Sequence, residues 1–404
     1  MTTAQSSARL CRGFAYVAHT LMHLLAGLYV TLVLPLEQDW GIGYEDLLRL
    51  WTLGALLIGL GAPLAGWLGD RWSESRMMVL FYGLTGGGSV AAGLATTPEA
   101  LTLALAVLGL GAGIYHPVGT AWVLRNSDSP GRSMGIFGLF GSIGVGTAAL
   151  VAGVLSDLIH WRAAFLLPGG LTLALGGLLA LAIASGRVVD REHDLRAAPP
   201  PSRTEAARAF VLLSVTMLCG GLIFGSVQTL LPKWFGLAFA AWSGSGTGAG
   251  ITTIGALITV VSLTASLAQV WGGRLADRAS LKHAYILCQG VQIPLMLLAM
   301  TASSWPVLPL AIGMAVINNI QLTVENVLIA RFTPQRLRGT AFGAKFILTF
   351  GAAPLAVQLV AWGWESMGRF AGVFAALAAL AGIALLAACA LPATPPRAAA
   401  PQPL

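Results

Sequence analysis

The hexapeptide Gly66-Trp-Leu-Gly-Asp70-Arg71 recurs half a chain later as Gly273-Arg-Leu-Ala-Asp277-Arg278. In both copies a glycine lies four residues before an Asp-Arg pair, and both copies follow a long apolar run. A polar signature repeated in phase with the hydropathy pattern indicates that the chain contains two copies of one structural unit.

Two further arginines recur in step with the hexapeptides. They lie seven residues apart in each half, at Arg125 and Arg132 in the first and at Arg331 and Arg338 in the second. The repeat therefore reaches well beyond one loop, and we predict a duplicated six-helix unit.

The composition indicates a membrane protein. Of the 404 residues, 56% are hydrophobic and only 10% are charged, whereas a soluble domain carries about 25% charged residues. The 50 glycines suit closely packed membrane helices. This composition excludes an ordinary soluble enzyme, a disordered scaffold and a disulfide-rich secreted module. The four cysteines include no CxxC pair, so neither a disulfide framework nor a zinc site is predicted.

Twelve charge-poor runs are long enough to cross a bilayer as helices, which takes about 20 residues each. No barrel-type alternation is present, so we predict an all-α membrane protein made of two pseudo-symmetric six-helix bundles. The predicted spans are 14–36, 47–69, 77–97, 100–124, 133–157, 163–185, 209–232, 250–273, 283–303, 306–331, 339–362 and 369–391.

The distribution of basic residues predicts the orientation. Eighteen of the 23 Lys and Arg residues fall on the side of the N-terminus, so the positive-inside rule places both termini in the cytoplasm. The net charge of +7 then reflects topology, and no nucleic-acid partner is expected.

The polar, proline-broken segment 187–208 divides the chain in the middle. We expect an N-terminal bundle over 1–186, a cytoplasmic linker over 187–208, a C-terminal bundle over 209–391, and a disordered cytoplasmic tail over 392–404.

With its 6+6 spans, central linker and duplicated G-x-x-x-D-R signature, the chain resembles transporters of the major facilitator superfamily. Ser73 and Ser280 stand where that signature continues to a glycine. The resemblance implies alternating access by two rocking halves, with Asp70 and Asp277 each contacting a neighbouring helix N-terminus in one state. The alternative is that both aspartates only cap tight turns. The gating candidates are Gly66, Asp70, Arg71, Pro117, Gly273, Asp277 and Arg278.

A narrower resemblance is to exporters of the fosmidomycin-resistance type. It rests on His23-Leu24-Leu25 in the first span and Tyr115-His116-Pro117 in the fourth. Those exporters carry acidic residues just after both motifs, where this chain has Ala26-Gly27 and Val118.

Five ionisable side chains lie away from the ends of the predicted spans, within the hydrocarbon, and are functional candidates because such groups are costly there. Three are histidines: His19 and His23 share one face of the first helix, and His116 lies at a similar depth in the fourth. Histidine titrates near neutral pH, so His23 and His116 are candidates for proton exchange and all three for solute binding. The alternative is that they are neutral packing residues. Pro117 removes a backbone hydrogen bond beside His116 and could form a hinge.

Glu325 and Lys345 are the other two ionisable groups in the spans. Each lies about 9 to 10 Å of helix from an arginine at the cytoplasmic end, Glu325 before Arg331 and Lys345 after Arg338, so an ion pair is expected. Glu325 is the leading candidate for proton coupling, and Lys345 could bind an anionic solute. The pair could instead be a fixed structural contact, or Lys345 could reach the interface.

The tenth predicted span is unusually polar, and such side chains favour a cavity or another helix over lipid. Hydrogen bonding between helices, or aromatic packing, could explain the same residues. Further solute-binding candidates are Tyr29, Tyr115, Gln228, Asn318, Asn319 and Gln321.

The sequence thus predicts a secondary active transporter that uses a proton gradient to export a small solute, with an anion as one candidate, as an antiporter of the bacterial inner membrane. The alternatives are uptake or facilitated diffusion of a carboxylate or nutrient, and a non-transporting receptor or assembly factor of the same fold. No P-loop, HExxH or GxSxG occurs, so no enzyme is expected. We expect a monomer in contact with membrane lipid, with no cofactor and no metal.

Overall fold

The computed structural model describes residues 3–127, 130–190, 203–243, 250–278, 280–332, 344–345, 347–349 and 351–392. Within these ranges the chain is helical apart from short connections and contains no strand. The all-α fold of two six-helix bundles is confirmed.

Seven helices form the first half. They are α1 (Thr3–Trp40), α2 (Tyr44–Arg49), α3 (Thr52–Arg71), α4 (Glu74–Leu94), α5 (Pro98–Arg125), α6 (Pro130–Leu158) and α7 (Trp161–Ala184).

Six helices are described in the second half. They are α8 (Arg203–Ser243), α9 (Ile251–Arg278), α10 (Leu281–Ala299), α11 (Val307–Phe332), α12 (Ala353–Met367) and α13 (Ala371–Ala390). Residues 344–345 and 347–349, N-terminal to α12, are also helical.

The helix packing repeats between the halves. In the first half α4 packs on α5 and α7, and α3 packs on α5. In the second half α10 packs on α11 and α13, and α9 packs on α11. The duplicated hexapeptides end α3 and α9, which are equivalent helices of the two bundles.

The two halves meet mainly along α6 and α9, and where α12 packs on α2 and α3. Glycines permit the close approach of α6 and α9. A Cβ atom at Gly153 would lie 2.5 Å from the carbonyl oxygen of Ile251, and one at Gly255 would lie 2.3 Å from that of Ala149. Neither position could take a side chain without moving a helix.

We call the end of the molecule at which α3 and α9 finish the signature end, and the opposite end the far end. The helices alternate in direction, so α1, α6 and α12 finish at the far end. Under the predicted orientation the signature end is cytoplasmic.

Several predicted boundaries differ from those observed. The second predicted span is broken at Leu50–Trp51 into α2 and α3. Helix α8 begins at Arg203, inside the predicted linker, and extends 11 residues past the predicted end of its span at 232. Helices α1 and α8, of 38 and 41 residues, are longer than the hydrocarbon requires.

Within the described ranges, 11 helical segments are long and apolar enough to cross a membrane. Helix α10, at the ninth predicted span, is not among them, and its sequence carries Lys282, His283, Gln289 and Gln292. It nevertheless packs between α11 and α13 as the repeat requires.

Candidate functional site

The second half contains a buried ion pair. The Lys345 Nζ atom lies 2.7 Å from Glu325 Oε1, and both side chains are 5% exposed. Glu325 Oε2 accepts a hydrogen bond of 2.6 Å from the Tyr285 hydroxyl, and Lys345 Nζ donates one of 2.6 Å to Asn326 Oδ1. The contact expected from the similar depth of the two residues is therefore present, with hydrogen bonds that compensate for lost hydration.

The rest of the polar cluster on α11 is divided between two environments. Gln321 is 3% exposed and accepts a hydrogen bond from Gln292 of α10. Asn319 is half-buried and donates to the Ala315 carbonyl of its own helix. Asn318 on α11 and Gln228 on α8 are also half-buried. Solute binding by these four residues remains a prediction.

The first half brings its three predicted histidines together. One ring nitrogen each of His19, His23 and His116 lies within 4.8 Å of the others. The ring centroids are 5.0 Å apart for His19 and His23, and 5.4 Å for each of the pairs with His116. His19 and His116 are buried, and His23 is half-buried.

Neighbouring side chains and glycines fix the position of this cluster. His19 Nδ1 lies 2.8 Å from the Phe137 carbonyl oxygen of α6, and the His19 ring stacks on Tyr115. A Cβ atom at Gly141 would lie 2.5 Å from His19 Cε1, and one at Gly144 would lie 3.0 Å from His23 Cβ. The absence of side chains at these glycines of α6 leaves room for the imidazoles of α1.

Both predicted tyrosines donate to backbone in this conformation. Tyr29 donates to the Leu47 carbonyl of α2, and Tyr115 donates at 2.6 Å to the Ala15 carbonyl of α1. Both are fully buried. Their hydroxyl protons are therefore engaged within the first half, and a role with solute remains a prediction.

Some gating candidates are in direct contact. A Cβ atom at Gly66 would lie 3.3 Å from Pro117 Cβ, so the signature glycine of α3 packs on the proline of α5. Arg71 lies over the Trp67 ring at 4.4 Å. The structure does not describe the side chains of Asp70, Asp277 and Arg278 or the surroundings of Gly273, so the gating roles remain predictions.

A contact at the signature end was missed by the sequence analysis. Asp190, at the start of the linker, accepts hydrogen bonds from Ser73 Oγ at 2.6 Å, Ser75 Oγ at 3.1 Å and Trp122 Nε1 at 3.2 Å. Ser73 also caps α4 by accepting from the Arg76 N–H at 3.2 Å. Ser73 replaces the usual glycine of the signature, so the departure provides both a cap and a contact to the linker. The serine in place of the usual glycine was the feature of the sequence from which this contact could have been suspected.

Contacts that join the two halves at the far end were also missed. Lys233 of α8 lies 2.6 Å from Glu37 of α1, and its Nζ atom lies 4.9 Å from the centroid of the Tyr44 ring. Further far-end contacts are those of Arg49 with Glu365, of Gln358 with Thr52 at 2.7 Å, and of the Thr252 N–H with Asp157 at 2.7 Å. The charges themselves were visible in the sequence, but their partners lie in the other half of the chain.

Comparison with known proteins decides the family. The sequence profile of the Major Facilitator Superfamily matches residues 15–253 and 233–404. The chain belongs to the major facilitator superfamily. This superfamily consists of multi-pass membrane transporters of small molecules.

Curated relatives of this superfamily protein match it only in part. The puromycin resistance protein of Streptomyces alboniger is 28% identical over 214 residues, covering 51% of this chain and 39% of that protein. The 4-hydroxybenzoate transporter of Pseudomonas aeruginosa is 28% identical over 187 residues, covering 43% of this chain and 41% of that protein. The chain thus spans about two fifths of the length of these relatives.

Solved structures match the superfamily fold over nearly the whole chain. A bacterial homolog of the human lysosomal transporter Spinster, in an inward-facing and occupied conformation, has a TM-score of 0.72 at 14% identity. The match covers 95% of this chain and 96% of that one. At this identity the likeness establishes the fold alone.

Proposed function

We propose that the protein is a proton-coupled secondary active transporter that exports a small solute by alternating access. The buried Glu325–Lys345 pair is the observation that carries this proposal. A carboxylate within a membrane span is costly, and one placed next to a lysine can exchange a proton while the lysine binds an anionic solute. Glu325 is the proposed coupling residue, and Lys345 is the proposed solute contact.

The contacts between the halves support alternating access. Helices α6 and α9 provide a long interface about which the halves can rock. At the far end the halves are joined by side chains that can separate without unfolding a helix, such as Lys233 with Glu37 and Arg49 with Glu365. We propose that this arrangement is the state closed at the far end, which alternates with a state closed at the signature end.

The relatives supply two classes of solute to test. Their names describe resistance to puromycin and transport of 4-hydroxybenzoate. We propose export because the resemblance to resistance exporters points that way. Uptake of an aromatic carboxylate is the second candidate, and Lys345 in the second half is the residue that favours it.

Transport in proteoliposomes tests coupling and direction together. Purified protein is reconstituted, a pH gradient is imposed in either direction, and the flux of labelled 4-hydroxybenzoate and of labelled puromycin is followed. We expect one probe to move against its own gradient with net flux opposite to the protons. Flux that ignores the pH gradient would refute the coupling, and net flux in the same direction as the protons would replace export by uptake.

The Glu325→Gln variant tests the proposed coupling residue. We expect it to lose gradient-driven flux and to retain exchange of labelled for unlabelled solute, because exchange needs no proton transfer. Retained exchange also shows that the variant is folded. Gln38→Glu, which changes an exposed amide at the far end, is a control for a changed carboxyl count. Unaltered driven flux in Glu325→Gln would remove Glu325 from the mechanism.

We also propose that the signature end is cytoplasmic, following the distribution of basic residues. Single cysteines at Gln38 and at Arg187, both exposed and at opposite ends, are introduced into a Cys389→Ser background. A membrane-impermeant thiol reagent should label Gln38→Cys in spheroplasts and Arg187→Cys only in inverted vesicles. The reverse pattern would invert the proposed topology.

A further inference from the structure

The histidine cluster of the first half has the composition of a metal site. Imidazole nitrogen is a common ligand for Zn²⁺ and its neighbours among the transition metals. Among the described residues, His19, His23 and His116 are the group of three potential ligands that the fold brings within 4.8 Å. We propose that these three histidines bind one divalent transition-metal ion of the Zn²⁺ class. The proposal does not depend on the direction or the coupling of transport.

The hydrogen bond of His19 determines the tautomer of its ring. A carbonyl oxygen can only accept, so His19 Nδ1 carries the proton in the 2.8 Å contact with Phe137. In the neutral ring, Nε2 then has its lone pair available for a ligand. Histidines that bind metals usually donate their other ring N–H to a backbone carbonyl or a carboxylate in this way, which orients the ring.

The spacing of the three rings fits tetrahedral coordination. With a Zn–N distance of about 2.0 to 2.1 Å, ring centroids around one tetrahedral ion are about 5 Å apart. The centroids in the structure are 5.0 and 5.4 Å apart. The ring nitrogens, within 4.8 Å of one another, must approach to about 3.4 Å. Because the centroids already have the right spacing, rotation of the rings can bring the nitrogens together without moving a helix.

The ligand type selects the class of metal. Three imidazoles suit Zn²⁺, Co²⁺, Ni²⁺ or Cu²⁺, whereas Mg²⁺ and Ca²⁺ require oxygen ligands. Three protein ligands leave a fourth tetrahedral position open, as in zinc sites that also bind water or a solute. His23 is the half-buried member of the cluster, so we expect this position to be reached from its side.

The sequence pattern alone does not reveal the site. His19 and His23 form an i, i+4 pair, which by itself supplies only two ligands. His116 comes from α5 and joins them only through the packing of α1 on α5. Tyr115 helps to hold that packing through its hydrogen bond to Ala15.

Metal titration of the purified full-length protein tests the proposal. The protein carries a purification tag without histidine, is stripped with chelator, and is titrated in detergent with Co²⁺ and then Zn²⁺. We expect one Co²⁺ per chain with the strong visible absorption of a tetrahedral site, displaced by an equimolar amount of Zn²⁺. Mg²⁺ at the same concentration should not displace it. Absence of saturable binding by folded protein would overturn the proposal.

Single substitutions locate the bound ion. His19→Gln, His23→Gln and His116→Gln should each weaken Co²⁺ binding at least tenfold. His283→Gln is the matched control, because His283 is exposed on α10. Thermal unfolding of each variant without metal identifies any that fail to fold, and those that fold decide the question. Binding that survives in all folded cluster variants, or that is lost in His283→Gln, would place the ion elsewhere and overturn the proposal.

Discussion

The two halves share one repeated helix pattern. At a similar distance from the signature end, however, they bury different kinds of polar side chain. His116 lies nine residues before Arg125, and Glu325 lies six residues before Arg331, which correspond to about 13 and 9 Å of helix. The first half has three imidazoles arranged around His19. The second has a carboxylate and an ammonium group in contact. One duplicated scaffold thus supports two kinds of polar centre.

The difference lies in how each centre compensates for its burial. In the second half, opposite charges compensate each other, and each also has one hydrogen bond, from Tyr285 to the carboxylate and from the ammonium group to Asn326. In the first half, the His19 ring stacks on Tyr115, contacts the tilted Phe137 ring, and is hydrogen-bonded to one backbone carbonyl. We therefore expect removal of one charge to destabilise the second half, and a larger side chain beside the histidines to destabilise the first.

Breaking the ion pair should have the largest effect on stability. Lys345→Gln leaves Glu325 buried without its countercharge, which typically costs about 3 to 5 kcal/mol. We expect a loss of this size in the free energy of unfolding, measured by denaturant titration of the purified protein in detergent. The double variant Glu325→Gln/Lys345→Gln, which removes both charges but keeps amides for Tyr285 and Asn326, should recover most of it. Additive losses would show that the charges do not act as a pair.

Removing one tyrosine hydroxyl from each half compares the two centres directly. Tyr285→Phe removes a hydrogen bond to a carboxylate, which is worth about 1.5 to 3 kcal/mol. Tyr115→Phe removes one to the neutral carbonyl of Ala15, which is worth about 0.5 to 1.5 kcal/mol. Both can be measured by the same denaturant titration. Equal losses would argue against a charged Glu325 in the folded protein.

Filling the space beside His19 tests the first half. The added methyl group in Gly141→Ala meets His19 Cε1 at 2.5 Å, and overpacking of this kind costs about 1 to 3 kcal/mol. Gly138→Ala, one turn earlier on α6, is the matched control, because a Cβ there has nothing within 4 Å. We expect the control to equal or exceed the parent in thermal stability. Similar losses in both variants would indicate a general effect on α6.

The smallest expected effect compares the two signature serines. Ser73 caps α4 and donates to Asp190, whereas Ser280 precedes α10 without a side-chain cap hydrogen bond. Loss of a cap costs about 1 kcal/mol, and water can replace the Ser73 hydroxyl at the half-buried Asp190. Ser73→Ala should therefore lower the free energy of unfolding by about this amount, and Ser280→Ala should leave it nearly unchanged. A larger effect of Ser280→Ala would contradict the asymmetry.

Most of the fold could be predicted because it depends on patterns local in sequence. Apolar runs of membrane length and two copies of one hexapeptide predict both the helices and their repeat. The break between α2 and α3 was not predicted, because no glycine or proline lies between Tyr44 and Leu53 to mark it. The early start of α8 was not predicted either, because its first turns are as charged as the linker before them.

The candidate site could be predicted only in part. The pairing of Glu325 with Lys345 could be predicted, because the depth of each residue in the membrane follows from counting residues along its own helix. The partners Tyr285 and Phe137 could not be found in this way, because they depend on the rotation and packing of whole helices. The contact of Asp190 with Ser73 and Trp122 could not be predicted for the same reason, since it joins three segments that are distant in sequence.

The ion pairs at the far end give the molecule a sensitivity to ionic strength. In the Arg49–Glu365 pair the side chains are 32% and 53% exposed, and in the Lys233–Glu37 pair they are 15% and 32% exposed. Exposed pairs contribute about 0 to 1 kcal/mol each and are screened by salt. Breaking these two pairs would therefore cost only a few multiples of thermal energy, and dissolved ions could replace the lost partners. The balance between conformations would then depend on the salt content of the surroundings as well as on any solute.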